Sequence, residues 1–72
     1  MFRTIKTEKI TEKRIRLNFY LNNAYMGYYE ALPYMAISEL LIRINKGYTL
    51  VEDSALLVSP KSTYGIDENS RP

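Results

Sequence analysis

The chain has no cysteine and no histidine, and only three glycines and three prolines in 72 residues. Each shortage removes a class of solutions. Without cysteine there are no disulfides and no thiolate metal sites, which fits a reducing compartment. Without histidine, acid–base chemistry near neutral pH falls to carboxylates, lysine or tyrosine, each needing a strongly shifted pKa in a deep pocket. A chain of 72 residues buries only about 60 % of the surface its unfolded form exposes and has little room to build one. The serines at 38, 54, 59, 62 and 70 have no histidine base and no Gly-x-Ser-x-Gly elbow. The glycines at 27, 47 and 65 are too dispersed to cradle a phosphate. Glu52 and Asp53 are adjacent, but neighbours at a strand end point to opposite faces, so the pair reads as a solvated turn. No Asp-x-Asp-x-Asp-Gly calcium loop occurs among the acids. These exclusions predict a non-enzyme with no metal and no cofactor.

Long apolar runs are missing too. None approaches the ~18 residues of a membrane span, and MFRTIKTEKI lacks the apolar centre of a signal peptide. No Asn-x-Ser/Thr sequon is present. The expected location is the cytoplasm, or a host's cytoplasm if the gene is viral.

The net charge of +2 is small but unevenly spread. In the first sixteen residues, Arg3, Lys6, Lys9, Lys13, Arg14 and Arg16 stand against Glu8 and Glu12, a local balance of +4, while the last twenty-three residues are −2. A basic end of this kind can meet nucleic acid, an acidic protein surface, or the acidic end of a second copy.

What the chain has in quantity is tyrosine, seven residues, concentrated in a stretch of regular alternation from Arg14 to Ala31. Ile15, Leu17, Phe19 and Leu21 fall on one face and Arg14, Arg16, Asn18 and Tyr20 on the other, the period of a half-buried strand. Asn22-Asn23 suits a two-residue type I′ turn because asparagine tolerates positive φ. Leu21 then pairs with Ala24, Phe19 opposes Met26 and Leu17 opposes Tyr28 inside, while Tyr20 meets Tyr25, Arg16 meets Tyr29 and Gly27 lies outside beside Asn18. A three-residue loop would reverse the second strand, turn Tyr25 and Tyr29 inward and set Arg16 against Glu30. The two-residue turn is preferred, because it buries Met26 and puts no glycine in a small core.

After the hairpin, Pro33 suits the first turn of a helix. Ile37, Leu40, Leu41 and Ile44 follow a helical stripe, Arg43 and Lys46 complement the dipole at its end, and Gly47 supplies a left-handed stop, which predicts a helix over about 33–46. Tyr48–Val51 and Ala55–Val58 read as two short strands around a polar turn, the second apolar on both faces. Met1 to Lys13 is expected to be loose, or at most an edge strand. The fold class is thus a small α+β domain over residues 1–63, with an antiparallel sheet of three to four strands and one helix on one face, in the order ββαββ. Residues 64–72 are expected to be a flexible tail.

On this reading the outer hairpin face gathers Arg14, Arg16, Tyr20, Tyr25 and Tyr29. Arginine and tyrosine are enriched at protein hot spots, which predicts a non-catalytic binding protein docking on another protein, a regulator or inhibitor of the size common among phage and mobile-element accessory chains. The same residues, helped by Lys6, Lys9 and Lys13, would also suit single-stranded nucleic acid, whose bases stack on aromatic rings. The alternative to both is scaffold, since cross-strand Tyr and Arg pairs stabilise a hairpin by roughly 0.2–1 kcal/mol each. A homodimer could equally cover the helix stripe or a sheet edge.

Overall fold

The computed structural model describes residues 2–57. Strands β1 (Arg3–Thr11), β2 (Arg14–Leu21) and β3 (Ala24–Ala31) precede helix α1 (Pro33–Asn45) and strand β4 (Thr49–Asp53), and the sheet order is β3-β2-β1-β4. The chain is therefore a small α+β domain of four strands and one helix. The N-terminal segment is not an edge: β1 lies at the centre, antiparallel to β2 and parallel to β4. Two threonines conceal its central position in the sequence. Thr4 and Thr7 are buried beside the fully buried Ile5, so positions that look polar in sequence are filled by β-branched side chains, and the Thr7 hydroxyl is hydrogen-bonded to Asp53 and Ala55.

The parallel pairing follows from connectivity. β1 and β3 are each antiparallel to β2 and so share a direction, and the crossover through α1 reverses the chain twice on its way from β3 at one edge to β4 at the other. β4 then runs alongside β1 instead of against it. Thr7 secures this junction: its hydroxyl donates to Asp53 Oδ1 at 2.6 Å and accepts from the Ala55 N–H at 3.1 Å. Asp53 Oδ1 also accepts from the Leu57 N–H at 3.0 Å. This turn replaces the strand expected over Ala55–Val58. Ala55 and Leu57 fold back against the core, while Val58 and the expected tail over 64–72 lie outside the described residues.

Helix α1 starts at Pro33 as expected and ends in a Schellman arrangement. Gly47, with φ of +113°, donates to the Ile44 carbonyl, and Tyr48 donates to that of Arg43. Its buried face differs from the expected stripe. Ala36 and Leu40 face the sheet and pack with Ile5, Ile15, Leu17 and Phe19, whereas Leu41 is 55 % exposed and Ile44 39 %. The small Ala36 lets the helix approach closely. Arg43 lies with its guanidinium 4.5 Å from the centre of the Phe19 ring and pairs with Glu39, so a cation covers part of the aromatic core.

The hairpin follows neither expected register throughout. Asn22 and Asn23 have φ of +50° and +73°, which makes the two-residue turn, and Leu21 faces Ala24 with Tyr20 facing Tyr25. The register then shifts between Phe19 and Tyr20, so that Phe19 faces Gly27, Leu17 faces Tyr29 and Arg16 faces Glu30. Met26 is the extra residue of a β-bulge, and Gly27 takes φ of +129° to accommodate it. Beyond the bulge every β3 side chain changes face relative to the preferred reading. Met26 is accordingly 61 % exposed instead of buried.

Candidate functional site

Helix α1 covers one side of the sheet, and among the described residues no second layer covers the other. Arg14, Arg16, Asn18 and Tyr20 project from β2 onto this open face, and Tyr25 joins them from β3 before the bulge. Tyr29 does not. Its strand has changed face, and it packs against the core beneath the helix. Tyr28 occupies the outer position instead, 55 % exposed. Of the three lysines, only Lys6 stands on this face, with its Nζ 5.2 Å from the centre of the Tyr20 ring. Lys9 pairs with Glu12 at 3.1 Å near the β1–β2 turn, and Lys13 sits exposed in that turn.

The face is a connected set of pairs. Glu30, facing Arg16 across the strands, accepts from Arg16 at 2.9 and 3.1 Å through one carboxylate oxygen and from Arg14 at 3.3 Å through the other. Arg16 also lies 3.8 Å from Glu8 on β1 and stacks over the Tyr28 ring at 4.5 Å. Asn18 donates to Glu8 at 3.4 Å and accepts from the Tyr25 hydroxyl at 3.3 Å. The Tyr25 ring in turn meets Tyr20 edge-on, with centroids 5.5 Å apart. Contacts thus run from Arg14 to Lys6 across three strands.

Electrostatics agree with the geometry. The hydrogen bonds from Arg16 hold the Glu30 carboxyl below its ordinary range, with Arg14 adding to the effect, and the same bond raises the Arg16 guanidinium above its own. Three cations on this face, Lys6, Arg14 and Arg16, stand against the carboxylates of Glu8 and Glu30, so its excess positive charge is small. Two arginine planes and three tyrosine rings are held in place by one another, which lowers the entropy lost when a partner immobilises them.

Tyr28 and Glu8 were missed in the sequence, and Glu30 entered there only through the three-residue loop. The available signal was Gly27, since a glycine inside an alternating strand marks a bulge and a bulge exchanges the faces beyond it. Glu8 could be placed only once β1 was known to lie beside β2. Among the described residues there is no cavity, no cluster of carboxylates placed to share an ion, and no helix long and apolar enough to cross a membrane. Comparisons with protein-family models, curated proteins and solved structures found no match.

Proposed function

We propose that the chain is a non-catalytic binding protein, a small regulator or inhibitor, that docks on another protein through the open face carrying Arg14, Arg16, Tyr20, Tyr25 and Tyr28. The observation that carries this reading is the pre-assembled Arg–Glu–Tyr network on a sheet face that no second layer covers among the described residues. Tyrosine and arginine supply large contact areas with polar handles, and here Glu30, Glu8 and Asn18 fix their orientation before any partner arrives. Nucleic acid is the weaker alternative. A phosphate approaching Arg14 or Arg16 must displace a carboxylate already bound there, and only one lysine of the basic segment joins the face.

The test is affinity capture on the immobilised 72-residue chain, scored for proteins and for nucleic acid by mass spectrometry. A captured protein is expected to bind Tyr28→Ala and Arg16→Glu at least about thirtyfold more weakly, the effect of losing a hot spot. A protein partner retained by both variants would sink the proposal. Capture of DNA or RNA whose binding falls steeply with salt would replace it with the nucleic-acid reading.

A further inference from the structure

We propose that the outward face of α1 is a homodimer interface, in which the helices of two copies pack antiparallel across a two-fold axis near Ser38. The helix has more apolar surface than its own sheet can use. Only Ala36 and Leu40 are buried, while Tyr34 is 67 % exposed, Leu41 55 %, Ile42 49 %, Met35 40 % and Ile44 39 %. A helix that is apolar nearly all round is ordinarily covered on both sides.

Charge identifies the occupant. The only charged residues of α1, Glu39 and Arg43, pair with each other beside the sheet, and Arg43 is further engaged over Phe19. The outward face therefore carries no charge between Pro33 and Asn45, and the exposed Lys46 stands at its end, one turn beyond Ile42. A charged partner would find no counter-ion along that length, whereas a second copy brings an equally neutral face without repulsion. An antiparallel arrangement also sets each helix N-terminus beside the other's C-terminus, so the two dipoles attract.

The face is self-complementary. Ser38 lies near the middle of the helix and its hydroxyl donates to the Tyr34 carbonyl at 3.1 Å, so it brings no unsatisfied group into a contact. With the axis at this small residue, Tyr34 meets Ile42 of the partner subunit and Met35 meets Leu41 of the partner subunit, each pair twice by symmetry. The area suffices for a small interface. Taking about 200 Å² for a fully exposed large side chain, the five residues present about 500 Å² per copy, or ~1,000 Å² in all, the lower bound of specific association. Two-fold packing closes the assembly at two and leaves the open sheet face of each copy free.

Sedimentation of the full chain from about 1 μM to about 1 mM tests this. The mass is expected to rise from 8.4 kDa to about twice that value, and Leu41→Glu should stay monomeric throughout with an unchanged far-ultraviolet circular dichroism spectrum. If Leu41→Glu fails to fold, Ser38→Cys decides the matter. The chain contains no cysteine, and under mild oxidation this variant should cross-link to itself at least about tenfold faster than Tyr25→Cys on the sheet face. A monomer at every concentration overturns the proposal, whether the helix face then binds a different protein or the chain's own residues 58–72. Faster cross-linking of Tyr25→Cys also overturns it.

Discussion

The open face of the sheet and the outward face of α1 lie on opposite sides of the molecule and meet water in opposite ways. The sheet face is charged and aromatic, and its residues satisfy one another: Glu30 holds Arg14 and Arg16, and Arg16 supports Tyr28. The helix face is apolar, and among the described residues Lys46 at its end is the charged side chain nearest to it. A surface of the first kind is stable alone and offers a partner an ordered pattern to match. One of the second kind gains by being covered. Both faces rest on a thin shared core, in which Ile5, Leu17 and Leu40 are the large side chains shielded completely, so the contrast can be probed by changes on either side of that core.

The largest effect should come from two neighbours on the helix. Leu40→Ala empties a fully buried site and is expected to cost about 2–5 kcal/mol, enough to unfold a domain of this size under many conditions. Leu41→Ala, one residue on, should change monomer stability by only about 0.5 kcal/mol while weakening self-association. Urea denaturation of both variants at low protein concentration makes the comparison. Equal losses would mean that the two sides of α1 are not distinct.

Next in size is Thr7→Val, which keeps the shape and removes the hydroxyl bonded to Asp53 and to the Ala55 N–H. A loss of about 1–3 kcal/mol is expected, together with faster amide exchange in β4 than in β2. Gly27→Ala should cost about 1–2 kcal/mol, since the φ of +129° at the bulge disfavours an L side chain even though the added methyl meets nothing. This change separates strain from packing. If it is neutral, the bulge is not what fixes the outer position of Tyr28.

The smallest effect concerns acid. Because Glu30 is held below its ordinary value when folded, its pairing with Arg16 stabilises the protein above about pH 4.3, the value for an unfolded glutamate, and is lost as pH falls through the lower folded value. Carbon-detected titration should give Glu30 a midpoint below 4.3 by a clear margin, and Glu30→Gln should remove that part of the acid dependence. A midpoint at the ordinary glutamate value would mean that the pairs on the sheet face are not formed in solution.

The division between legible and hidden features has physical causes. The turn at Asn22-Asn23, the alternation of β2 and the limits of α1 depend on local preferences, and all three could be read from the residues alone. The position of β1 could not, because Thr4 and Thr7 look polar until their burial between neighbouring strands is known. The core-facing side of α1 is set by the packing of small Ala36 and by the Arg43 guanidinium over Phe19, neither of which a stripe of large apolar residues reveals. In the candidate site, Arg14, Arg16, Tyr20 and Tyr25 were legible from period two. Tyr28 in place of Tyr29 depends on a single inserted residue, which Gly27 marked.

The most direct measurement of the contrast between the two faces is amide relaxation induced by a soluble paramagnetic agent, recorded at low and at high protein concentration. The account predicts that Tyr34, Ser38, Leu41 and Ile42 become protected as concentration rises, while Tyr20, Tyr25 and Tyr28 stay accessible at both. Protection appearing on the tyrosines instead, or on neither face, would contradict it.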